Sequence, residues 1–211
     1  MAYDLEEQEQ IAELKSWWRE YGTVVTIAVA VCAVSVAGFQ GWRFYQHSQA
    51  MGAAGLYEQL DQAERARDHK RVRDIADQIT GKYGATAYGA FAALNSARAS
   101  FESGDLAAAK SRLQWVIDNT KEDEIRDIAR LRLAGVLLDE KNYAEALKLV
   151  DAKPVESMTG LYADLKGDIH LLQGRKVEAR SAYQLALDKS EAGSSYRSAI
   201  QLKLDSLGEV K

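Results

Sequence analysis

The side chains able to do covalent, acid–base or metal chemistry are few and scattered. Cys32 is the only thiol of the 211-residue chain and sits in an uncharged apolar stretch, which leaves no partner for a disulfide or a thiolate metal site. The three histidines, His47, His69 and His170, show none of the spacings by which one helix face presents metal ligands. Glu122, Asp123 and Glu124 fall in a turn-like polar stretch where solvation accounts for them. There is no glycine-rich phosphate loop and no nucleophile elbow. These residues predict no enzyme, no cofactor and no metal.

Charge removes a further class. The chain carries 27 basic and 31 acidic residues, a net charge of −4. Residues 1–20 account for all of it, through Asp4, Glu6, Glu7, Glu9, Glu13 and Glu20 against Lys15 and Arg19. The remainder is neutral and lacks the cationic surplus that displaces counterions from nucleic acid. Arg65, Arg67, Lys70, Arg71 and Arg73 cluster, but Asp61, Glu64, Asp68, Asp74 and Asp77 interleave with them and predict a solvated, ion-paired helix face.

The elements around these residues are more informative. Residues 21–42 contain no charge; as a helix they are about 33 Å long, enough for a bilayer core of roughly 30 Å. Trp17, Trp18 and Tyr21 border the stretch on one side and Phe39, Trp42, Phe44 and Tyr45 on the other, as aromatic girdles do at headgroup depth. A cleaved signal fits less well: Ser35 and Ala37 offer a small-x-small site, but the apolar stretch is too long and an acidic segment precedes it. Val31 before Cys32 argues against a lipoprotein signal. Lys15 and Arg19 before the span against Arg43 after it favour a cytoplasmic tail by a single charge. Ala33, Ala37 and Gly41 recur every four residues, a small-residue face where another membrane helix can approach; such residues are also common in membrane helices generally.

Beyond the span the chain has a period. Segments 104–117, 141–151 and 174–187 align so that Ala109, Ala146 and Ala179 each lie five residues after the first position, 37 and 33 residues apart. Each follows an apolar, alanine-rich helical stretch, over residues 87–102, 125–139 and 161–173. The pattern resembles the tetratricopeptide repeat, with Gly167 and Ala179, Ala134 and Ala146, and Ala97 and Ala109 where two helices approach closely. Residues 50–66 and 70–80 read as a degenerate helical pair, and Tyr196, Ile200, Leu204 and Leu207 give residues 195–207 an apolar stripe suited to capping the array. With a single proline, Pro154, and no strand-like alternation, the fold class is all-α: one transmembrane helix followed by a helical-repeat solenoid. The expected organisation is an acidic tail (1–20), the span (21–43), the degenerate pair (44–84), three repeats (85–192) and a capping helix (193–211).

Such arrays present a concave surface from their first helices. The inward positions are Phe91, Leu94, Arg98 and Phe101, then Ile128, Leu131 and Leu138, then Leu161, Asp164, Asp168 and Leu171. The lysines and asparagines by which carboxylate-gripping repeat proteins resemble one another are missing here, so an open groove suits an apolar segment or helix. Two readings stay open: these side chains line a groove, or they are core covered by the first pair or the last helix.

From end to end the chain resembles the ancillary SecYEG translocon subunits, the YfgM-like inner-membrane proteins. The likeness is carried by LKSWWREYG (14–22), GWRFYQHSQ (41–49), YGAFAALNSARA (88–99), ADLKGD (163–168), EARSAYQLAL (178–187) and SAIQLKLDSL (198–207), and is loosest over 52–80. The resemblance implies a cytoplasmic tail and a periplasmic repeat domain beside the SecYEG channel. It also implies pairing with a membrane-anchored periplasmic chaperone (PpiD-like), help to exported client proteins leaving the translocon, and no catalytic residues. The lipid bilayer is a partner through the span; nucleic acid is not. Two other readings are a stress-response regulator that sequesters a signalling protein and a cytosol-facing membrane scaffold.

Overall fold

The computed structural model describes residues 2–191 and 193–208, and of residues 2–9 the backbone alone. The acidic side chains of Asp4, Glu6, Glu7 and Glu9 and the last three residues of the capping segment lie outside it. The described residues are helical, without a strand: α1 (Ala2–Arg65), α2 (His69–Tyr83), α3 (Ala87–Glu102), α4 (Leu106–Asn119), α5 (Asp123–Asp139), α6 (Tyr143–Val150), α7 (Thr159–Leu172), α8 (Lys176–Asp188) and α9 (Ser195–Ser206), with a 3₁₀ turn at Glu156–Met158. Two compact units divide between Gln49 and Ala50. α1 contributes to both, since no proline or glycine pair interrupts it between Trp42 and Ala50.

In the first unit α1 is apolar and almost wholly exposed; it is the one helix among the described residues long and apolar enough to cross a membrane. Two of its hydroxyls bond back to its own backbone: Thr26 Oγ1 donates to the Gly22 carbonyl at 2.6 Å and Ser35 Oγ to that of Val31 at 2.8 Å. That leaves no free hydroxyl donor at those positions in a medium without water. Trp17 lies 6.3 Å from Trp18 and 5.9 Å from Tyr21, and Trp42 lies 6.1 Å from Tyr45, ring centre to ring centre.

The second unit is a stack of antiparallel helix pairs. Four are closed by one and the same turn: residues 50–65 of α1 with α2, α3 with α4, α5 with α6, and α7 with α8. In each, one residue takes a left-handed conformation: Arg67 (φ 55°), Gly104 (82°), Lys141 (61°) and Gly174 (75°). The N–H of that residue donates to the carbonyl three back (Glu64, Phe101, Leu138, Leu171), at 2.9–3.0 Å. The next N–H donates five back (Ala63, Ser100, Leu137, His170), at 2.8–3.0 Å. These bonds satisfy carbonyls orphaned by the helix end and reverse the chain within three residues. Asp68 and Asp105 then cap the second helices, accepting from the N–H groups of Arg71 and Ala108 at 3.0 Å.

Relative to the left-handed residue, equivalent positions pack with complementary sizes. Seven before and nine after it stand Leu60 and Ala76, Ala97 and Leu113, Ala134 and Val150, and Gly167 and Tyr183, all buried. A large side chain on one helix meets a small one on the other, which holds the helices close without a void. The first pair reverses the order of sizes, and Val72 stands where the others have Ala109, Ala146 and Ala179.

The segment between α6 and α7 is longer than the other links and is fastened from below. Asp127 of α5, fully buried, accepts from the Val155 N–H at 2.8 Å and pairs with Arg130 at 3.1 Å, while the Tyr162 hydroxyl donates to its carbonyl at 3.0 Å. A buried carboxylate is tolerated because each oxygen has a donor.

The close approach is tightest at the fourth pair, where a Cβ on Gly167 would lie 2.4 Å from the Tyr183 ring. We expect Gly167→Ala to lower stability by about 2 kcal/mol in chemical denaturation. Gly55→Ala, where a Cβ meets nothing within 4 Å, should instead gain up to about 1 kcal/mol from helix propensity.

Candidate functional site

The turn register fixes what the first helices display on their shared face. Three residues before each left-handed position stand Glu64, Phe101, Leu138 and Leu171; six before, Asp61, Arg98, Gly135 and Asp168; nine before, Glu58, Asn95, Arg132 and Leu165. The face is therefore acidic at the first pair, apolar with two arginines at the second and third, and mixed at the fourth.

A depression of about 630 Å³ opens in the middle of this face. Ala97, Arg98 and Phe101 of α3, Leu113 of α4, Arg132, Gly135, Val136, Leu138 and Asp139 of α5, and Leu165 of α7 line it. Its depth is set at Gly135, where a Cβ would meet no atom within 4 Å. Phe101, 41% exposed, forms one wall, and Leu138 stands at the equivalent place on the next pair. Both carbonyls are pinned by the turn hydrogen bonds, so the walls are rigid parts of the repeat.

Of the inward positions expected from sequence, Arg98, Phe101 and Leu138 meet in this groove. Leu94 does not: it is 5% exposed and packs in the main core, because its turn of α3 faces α4 and α5. Ile128 and Leu131 are half-buried against the same core. Phe91 and Leu161 are exposed on α3 and α7 but do not line the groove. Leu171 packs on the C-terminal cluster of Tyr183, Ile200 and Leu207. Arg132, Gly135, Asp139 and Leu165 were not singled out in the sequence, although Arg132 and Gly135 lie 37 residues after Asn95 and Arg98, one repeat on. Ala33, Ala37 and Gly41 are exposed along α1.

At the fourth pair the face is closed by α9. Lys203 Nζ donates to Asp164 and Asp168, both at 2.8 Å, and Tyr183 donates to Asp168 at 2.7 Å. Partial burial works against the Lys203 charge, but the two carboxylates outweigh it and hold the ammonium above the ordinary lysine range. Burial, with Asp168 beside it, pushes the Tyr183 phenol well up. Ile200 and Leu207 bury against α8, so α9 takes the place a further first helix would occupy. Asp164 and Asp168 are thus spent internally.

The groove's other border is charged. Arg98 pairs with Glu102 at 2.8 Å, four residues on. Arg132 forms no ion pair among the described residues, and loss of water and the nearby Arg98 lower its pKa, with Glu64 opposing. Burial raises the Glu64 carboxyl above its usual range. The histidines stay apart: His47 in the first unit, His69 at the start of α2 with Nδ1 3.6 Å from Glu102, and His170 buried in α7. Among the described residues no three of His, Cys, Asp and Glu gather as a metal cage.

The tetratricopeptide repeat-like domain family matches residues 15–209. An ancillary SecYEG translocon subunit of Haemophilus influenzae is 30% identical over 210 residues, covering 98% of this chain and all of that protein. The chain belongs to this family. Proteins of the same description from Neisseria gonorrhoeae and Escherichia coli are 29% and 26% identical, over 98% and 95% of this chain. Ancillary translocon subunits with one candidate span fit an inner-membrane protein that crosses once.

The ion triad at α9 makes a specific demand. Lys203→Met should speed amide exchange throughout Ser195–Ser206 by about tenfold or more, since two carboxylates lose their shared cation, and leave α3 and α5 unchanged. Unchanged exchange in α9 would show that apolar packing alone holds it.

Proposed function

We propose that this protein is a membrane-anchored adaptor at the Sec translocon, with its tail in the cytoplasm and its repeat domain in the periplasm. The observation that carries the reading is the groove between α3 and α5: open, apolar in its floor, and left uncovered by the protein's own capping helix. The family relatives' description as translocon subunits supports a place beside the translocon, and the apolar part of α1 suits a membrane tether. The groove receives an apolar segment of a membrane-anchored periplasmic chaperone, which brings that chaperone to exported chains as they emerge. Confinement to one membrane raises the effective concentration of the two proteins, so a contact that is weak in solution is occupied.

A photo-crosslinking residue placed at Phe101 or Leu138 in the full-length protein in cells should capture a membrane-anchored chaperone, and one at Gln114 on α4 should not. Leu138→Glu should reduce crosslinking from position 101 about tenfold or more, because a carboxylate is driven into an apolar contact; Leu138 also packs on the main core, so a cooperative thermal melt must show that the variant is folded. Undiminished crosslinking in a folded Leu138→Glu protein would exclude the groove.

A further inference from the structure

The two arginines at the groove have a chemistry that an apolar partner alone does not explain. Arg98 and Arg132 border the same depression, whose floor is Ala97, Gly135, Val136 and Leu165. One guanidinium is shared with Glu102; the other has no ion-pair partner among the described residues. The remaining charges nearby are Asp139, two helical turns along α5 from Arg132, and Glu64 of α1, whose carboxyl stays above its usual range despite Arg98. A cation set against apolar surface and next to another cation gains most from an anion that arrives with the partner and brings its own apolar neighbours.

We infer that the groove recognises an apolar segment carrying one acidic side chain, whose carboxylate reaches Arg132 and Arg98 while its apolar neighbours fill the floor between Phe101 and Leu138. The carboxylate is a side chain rather than a chain end, because the surface continues past it. Arg98 also lines a second depression, of about 470 Å³, with Asp61, Glu64, Arg65, Arg67, His69 and Glu102. A bound chain can run on over that polar ground instead of stopping at the arginines. Asp139, at the other end of the groove, disfavours a second acid there and sets the direction in which the segment lies. The inference rests on the groove being the partner site and adds what that site selects.

The test uses the full-length protein in lipid nanodiscs, with empty nanodiscs as the blank. The probe is a short fluorescein-labelled helical peptide, acetylated and amidated, presenting two leucines and one glutamate on one face; its twin has glutamine for glutamate. The glutamate peptide should bind about tenfold tighter than its twin, the value of one charge-assisted contact. Arg132→Gln should equalise the two, and should not lower Tm, since Arg132 forms no ion pair among the described residues. Leu138→Glu should weaken both. Equal binding of the two peptides to the unaltered protein, with both lost in Leu138→Glu, overturns the acidic preference and leaves the groove standing. Binding of neither peptide, or binding indifferent to Leu138→Glu, overturns the groove and the inference together. An Arg132-dependent gain seen with a free C-terminus on the glutamine peptide, and absent for the glutamate peptide, overturns the side-chain assignment in favour of a chain end.

Discussion

Everything in the repeat domain depends on reversing a helix within three residues. An L-residue pays roughly 1–2 kcal/mol to enter the left-handed region, which glycine avoids. Here the position is glycine twice, at Gly104 and Gly174, and Arg67 and Lys141 in the other two turns. The strain is tolerated because each turn returns two backbone hydrogen bonds to carbonyls that would otherwise be orphaned. Once the turn is fixed, so is the register of the two helices. The pairs Leu60–Ala76, Ala97–Leu113, Ala134–Val150 and Gly167–Tyr183 must then share a nearly constant volume between them.

The groove follows from the same register. Turn geometry places Phe101 and Leu138 at matching points on successive pairs, and a glycine at position 135 removes the side chain that would fill the space between them. The domain's two ends are treated differently. At the last pair Lys203 bridges the acidic positions and α9 covers them, whereas Arg132 near the middle has no ion-pair partner among the described residues and stands beside apolar surface. One end of the shared face is therefore finished within the chain, and the middle stays open.

Helix limits were legible because alanine-rich first helices and glycine turns are strong local signals; the 37-residue and 33-residue spacings survive in Ala109, Ala146 and Ala179. The first pair was harder to read. Its turn residue is Arg67, its close contact inverts small and large, and Val72 replaces alanine. A pattern search for small residues passes over it, although its hydrogen bonds match the other three. The site was legible in part. Helical spacing puts Leu94 one turn before Arg98, but that side chain packs into the core beside α4 and α5. Arg132 stands on the same face one repeat after Asn95, but as a charged residue it carries no apolar-anchor signal. The fate of Asp164 and Asp168 depends on a lysine 35 or more residues away, which no local pattern encodes.

The account rests on the repeat domain facing the periplasm, where an adaptor for exported chains has to be. The measurement that tests it most directly is topology, with alkaline phosphatase and a cytosol-only fluorescent reporter each fused after Lys211 of the full-length protein. Phosphatase activity without fluorescence is the predicted result. Fluorescence without phosphatase activity would place the groove in the cytoplasm and contradict the account.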